Sequence, residues 1–71
     1  MPDSVYKIIE LVGTSTESWE KAAANAIEVA SKKLKDLRIA EVILMDAQIE
    51  DGKINLYRTK MKLSFKYHME D

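Results

Sequence analysis

Cysteine is absent, so neither a disulfide nor a thiolate metal site braces the chain. Glycine occurs only at Gly13 and Gly52, which excludes a glycine-rich phosphate loop. The single proline, Pro2, leaves the rest of the chain without that breaker. The single histidine, His68, stands in a polar tail where solvation is expected, and no serine or threonine has an evident base beside it. No apolar run approaches the roughly 18 residues that would suggest a membrane helix. Nor is there an excess of one charge. Eleven basic and twelve acidic residues give a net charge of −1, which argues against nucleic acid or an anionic membrane as the main partner. Met-Pro-Asp-Ser at the amino terminus has no basic segment leading into an apolar one, so no secretion signal is expected and the cytoplasm is the default compartment.

What is present is apolar surface, 46% of 71 residues. That length predicts a single domain over 1–71. Such a short chain buries only about 60% of its unfolded surface, so alone it would be marginal. Surplus apolar residues on a marginal domain point to self-association.

The clearest element is a helix expected over Thr14 to Leu37. Ala23, Ile27, Ala30, Leu34 and Leu37 follow helical spacing, and Trp19, Ala22, Ala26 and Val29 widen the stripe. Thr14 with Glu17 has capping-box spacing, and Ser15 competes for the cap. At ~1.5 Å per residue this helix would span ~30 Å. A strand is expected at 4–12, ended by Gly13, and two more at about 39–49 and 54–67. Asp51-Gly52 between them predicts a two-residue hairpin of type I′, pairing Glu50 with Lys53. A regular register then sets Ile49 against Ile54, Met45 against Arg58, Leu44 against Thr59, Ile43 against Lys60 and Val42 against Met61. It also sets Glu41 against Lys62, Ala40 against Leu63 and Ile39 against Ser64, with a bulge able to shift the far end. Ala40, Val42, Leu44, Met61, Leu63 and Phe65 would face the helix. Ile39, Ile43, Met45, Ala47, Ile49, Ile54 and Leu56 would share the other face with Glu41, Arg58, Lys60 and Lys62, a mixture suited to a subunit interface. The fold class is therefore α+β, a β-α-β-β chain with a three-stranded antiparallel sheet wrapped around one long helix.

Chemistry-bearing groups are few. Asp46, Glu50 and Asp51 cluster near the hairpin without the spaced oxygens of a calcium loop, so turn chemistry and solvation account for them. Arg58, Lys60, Lys62 and Lys66 form a basic stripe, read as cross-strand or intersubunit pairing, or as an anion contact at an interface. An enzyme acting on an anionic substrate there would have Glu41 as its only candidate base. Trp19, near the first helical turn, is expected to pack or to anchor an interface.

Several segments together resemble the dodecins. They are Val5-Tyr6-Lys7, Glu10-Leu11-Val12-Gly13-Thr14-Ser15, the alanine-rich helix, Leu37-Arg38, Glu41-Val42, Glu50-Asp51-Gly52-Lys53 and Lys62-Leu63-Ser64-Phe65. The resemblance spans nearly the whole chain. It implies a small non-enzymatic protein that assembles with eleven copies of itself as a hollow dodecameric shell and binds or stores a small ligand or ion. In that family flavin is gripped by a Trp after Leu-Arg and a Gln after the strand-three Tyr. The matching positions here are Ile39 and Arg58. An aliphatic side chain offers no flat π surface, and Arg donates hydrogen bonds but accepts none. Tight flavin binding is not expected, and any retained site would be altered. Ser18-Trp19-Glu20 and the following alanines are similar to the calcium dodecins, which makes calcium the favoured ligand over flavin, with no metal-ligating residues assigned.

Overall fold

The computed structural model describes residues 4–67. His68 and the rest of the polar tail lie outside them. Four elements run in the order β1 (Tyr6–Ser15), α1 (Trp19–Ser31), β2 (Leu37–Glu50) and β3 (Lys53–Lys66). The strands form one antiparallel sheet in the order β1-β3-β2, so β3 lies at the centre and both other strands are edges. The β-α-β-β order and the α+β class are those expected.

The helix is shorter than its apolar pattern suggests. Gly13, Thr14 and Ser15 pair with Thr59, Arg58 and Tyr57 of β3, so β1 runs through the expected strand end and takes the expected capping residues. Ser15 Oγ instead accepts from the Glu17 amide. Ser18 is the actual cap, its Oγ accepting the Lys21 amide at 2.9 Å. At the other end Ser31 Oγ donates back to the Glu28 carbonyl, and the Lys32 and Lys33 amides close i→i−3 bonds onto Val29 and Ala30. Such tightened bonds are typical of a helix terminus. Asp36 then adopts φ 62° and turns the chain into β2. Thirteen residues give ~20 Å of helix, against ~45 Å for a fourteen-residue strand.

What holds the helix down is its alanine face. Ala22, Ala26 and Ala30 are all buried, the last two in one cluster with Met61 and Leu63 that Ile9, Leu11 and Ile27 pack around. Gly13 of β1 lies directly beneath: a Cβ there would strike the Ala22 carbonyl oxygen and come within 2.9 Å of the Ala26 Cβ. Asn25 Nδ2 donates to the Thr14 carbonyl and fixes the same contact. The helix is thereby pressed onto β1 and β3 and scarcely touches β2.

The hairpin turn is as expected, with Asp51 at φ 54° and Gly52 at φ 75°. The register is not regular. Asn55 is an extra residue on β3 and Ile43 an extra residue on β2, and the two bulges cancel. Glu50↔Lys53, Ile49↔Ile54 and the pairs from Val42↔Met61 to Ile39↔Ser64 match expectation. Between the bulges every pair moves by one: Leu44 faces Lys60, Met45 faces Thr59 and Asp46 faces Arg58. Leu44 is therefore on the outer face, and Met45, Ala47, Ile49 and Ile54 are on the helix side, the reverse of the expected faces. A third shift, at Arg38, sets Leu37 opposite Phe65. Ala40 and Val42 are on the helix side but exposed, because α1 does not extend over them.

The result is an extended molecule, 54 × 20 × 14 Å, with 5563 Å² of accessible surface. A folded monomer of 8.1 kDa exposes about 4,500 Å², so about 1,000 Å² is in surplus. Because Gly13 leaves no room for a methyl group, Gly13→Ala is expected to destabilise the fold by roughly 1–3 kcal/mol. Denaturant unfolding measures this, and an unchanged midpoint would show that the helix lifts off β1 freely.

Candidate functional site at the outer sheet face

The face of the sheet turned away from α1 carries Glu10 and Val12 from β1, Arg58, Lys60 and Lys62 from β3, and Glu41, Leu44 and Asp46 from β2. Alternation with the buried Thr59, Met61 and Leu63 fixes this assignment. The basic stripe is not a row of free cations. Arg58 donates to Asp46 through Nε at 2.8 Å and Nη2 at 2.9 Å, a two-pronged pair. Lys60 Nζ lies 3.7 Å from Glu10. Glu41 stands directly opposite Lys62. Two of the cations that would attract an anionic substrate are thus already engaged by carboxylates.

The Asp46–Arg58 pair is built by the central register shift. In the regular register Met45 would face Arg58; with the bulges Asp46 does. The Asp46 carbonyl also accepts from Trp19 Nε1 at 2.9 Å, while the Trp19 carbonyl accepts from Thr59 Oγ1 at 3.0 Å. Trp19 meets Tyr57 edge-on with ring centroids 4.8 Å apart. The first helical residue is thereby tied to both strands behind the ion pair, so Trp19 is a packing anchor, as expected. Sequence reasoning grouped Asp46 with the turn acids Glu50 and Asp51. Glu50 does serve the hairpin, accepting from the bulged Asn55 at 2.8 Å, but Asp46 belongs to the site. The signal for it was present: Asp46 and Arg58 lie one residue out of a regular register.

Thr14, Gln48 and Leu56 join Asp46 and Arg58 around an open depression of about 440 Å³, within the size range of small-ligand sites. Ile39, the other predicted ligand position, is exposed and pairs with Ser64, which puts it on the same face. Along β3, however, Ser64 and Arg58 are six residues apart, or ~20 Å. One chain does not bring the two positions together. For a metal, no three His, Cys, Asp or Glu side chains converge among the described residues. Calcium takes six to eight oxygens, and the described residues of one chain gather no such set.

The Arg58 guanidinium holds the Asp46 carboxyl below its ordinary value of 3.8, chiefly through the side-chain hydrogen bond, and the carboxylate raises Arg58 in turn. Because the folded value is depressed, the pair's stabilisation is present above pH 3.8 and is lost as pH falls through the lower folded value. Both groups are about half exposed, so the pair matters more for position than for stability. A carboxyl-carbon NMR titration should place the Asp46 midpoint below 3.8 and return it to the ordinary range in Arg58→Gln. A midpoint that ignores that substitution would remove the pair from solution.

Comparison with known proteins gives a consistent outcome. The Dodecin family model matches residues 5–68. The calcium dodecin of Mycobacterium tuberculosis is 48% identical over 64 residues, covering 89% of each chain. The solved structure of a calcium dodecin from that organism, described as calcium chelating, is 41% identical with a TM-score of 0.82 over 96% of this chain and 97% of that one. A dodecin from Streptomyces coelicolor is 34% identical, with a TM-score of 0.93 over 99% of this chain and all of that one. With sequence, length and fold in agreement, this chain belongs to the dodecin family.

Proposed function

We propose that this protein is a non-enzymatic binding or storage protein that works as a homododecameric hollow shell in the cytoplasm. The observation that carries this reading is the surplus of about 1,000 Å² of surface, which exceeds the roughly 800 Å² that each partner buries in a stable interface. Much of it is apolar: Ile8, Val12, Ile39, Val42, Leu44 and Ile49 are all exposed. Family membership supports the same reading.

The ligand site, on this reading, forms between subunits. Because Ile39 and Arg58 are ~20 Å apart in one chain, a ligand touching both takes Ile39 from one copy and Arg58 from another. Flavin is disfavoured there. Ile39 supplies no stacking plane, and Asp46 already occupies the prongs of Arg58. Calcium is the favoured ligand, supported by the relative that bears its name. Carboxylates of neighbouring copies would have to meet to hold it, since no described cluster in one chain suffices. The competing reading, an enzyme with Glu41 as base on the Arg58–Lys60 stripe, is weakened by the pairing of both cations with carboxylates.

Native mass spectrometry of the purified protein should report twelve copies, and a stable monomer at micromolar concentration would end this reading. Calorimetric titration should detect calcium binding to the assembly. Added flavin should lose little fluorescence, whereas Ile39→Trp with Arg58→Gln should raise flavin affinity about tenfold or more. Submicromolar flavin binding by the unaltered protein would overturn the altered-site assignment.

A further inference from the structure

We infer that the tip of the β2–β3 hairpin of one copy seats in the groove between α1 and β2 of the next, joining copies head to tail. This rests on the assembly reading above and names a contact that would build it.

The sheet loses its third strand at Ser15↔Tyr57. Beyond that pair, residues 48–56 continue as a bare two-stranded ribbon, past the start of α1 at Trp19. Residues 48–55 are all exposed. A two-stranded ribbon without a covering layer is marginally stable in water. Yet this one carries an isoleucine pair, Ile49↔Ile54, at 69% and 47% exposure. Ile49 follows Ala47 by two residues, so the pair continues the helix side of the sheet where no helix remains to cover it.

The same short, tightly seated helix leaves a vacancy at the other edge. With α1 pressed onto β1 and β3, a groove of about 310 Å³ opens between it and β2, lined by Trp19, Ala23, Val42 and Met45 with Thr59 at its base. Its walls are largely apolar, and Ala23 leaves width for a branched side chain. Glu20 stands at its rim, and Lys53 sits next to Ile54 on the tip, so the two charges are opposite in sign and attract. A chain does not fill its own groove, because the ribbon continues β2 and β3 past the start of α1 and leads away from it. The occupant is therefore a second copy. A contact between two different surfaces of the same molecule repeats from copy to copy, and closes into a ring when its rotation divides a full turn.

The chain's lack of cysteine makes a direct test available. In Ile49→Cys with Ala23→Cys, mild oxidation of the assembled protein should give an intermolecular ladder of linked chains on a non-reducing gel. Each single variant should give none. An assembled double variant without a ladder would overturn the tip-in-groove contact while leaving the assembly reading intact. A wild-type protein that is monomeric would overturn both.

A second experiment tests direction. Ile49→Asp with Ile54→Asp spoils the tip, and Val42→Glu with Met45→Lys spoils the groove. Each variant, checked as folded by circular dichroism, should lose the assembled mass in native mass spectrometry. Mixed together they should form heterodimers, because each supplies the surface that the other lacks. Assemblies of wild-type size in either variant, or folded variants that mix without forming heterodimers, would overturn the proposal.

Discussion

Gly13 passes under Ala22 and Ala26 with no space for even one more carbon, and the position of the whole helix follows from that contact. Small residues on both sides let the backbones of α1 and β1 approach closely, and Asn25 locks the approach with a bond to the Thr14 carbonyl. Met61 and Leu63 of the central strand then fill the remaining space beneath the alanines. A helix seated this far toward one edge cannot also cover the other. Val42 and Met45, which a centred helix would bury, are left half exposed on β2. The open groove and the bare hairpin are consequences of one choice of packing.

The outer face is governed by a different device. Two bulges of opposite sense, at Asn55 and Ile43, displace the middle of the β2–β3 ladder by one residue and restore it at both ends. Since side chains alternate across a strand, that displacement turns Leu44 outward, Met45 inward and Asp46 onto Arg58. The ion pair is then backed by Trp19, whose indole donates to the Asp46 carbonyl. A guanidinium held by a carboxylate is a less available anion receptor than a free one, and this separates the face from the anion-binding surface that its basic stripe suggests.

These two arrangements bear on function together. A chain of 71 residues has little core of its own, and its five most buried apolar side chains are three alanines, Met61 and Leu63. Much of its apolar character is spent on surfaces that face outward, on both sides of β2 and at the hairpin. On the proposed reading, such a subunit is completed by its neighbours. Membership in the dodecin family agrees with that economy of design, and on the same reading the separation of Ile39 from Arg58 makes the ligand site a property of the assembly as well.

Sequence alone determined the element order, the type I′ turn at Asp51-Gly52, the two ends of the hairpin register, the family and the surplus of apolar surface. Each of these is written in local pattern: strand alternation, a dipeptide with positive φ, helical spacing, a string of shared motifs. Tertiary structure decided the rest. Thr14 and Ser15 look like helix caps until β3 offers them strand partners, which no local pattern reveals. Apolar spacing beyond Ser31 looks helical, yet Asp36 turns the chain there into β2. The bulges, and with them the Asp46–Arg58 pair, depend on how two long twisted strands accommodate each other over fourteen residues. Periodicity tells which residues want to be covered. Only the packed chain decides which of them its own helix is long enough to reach.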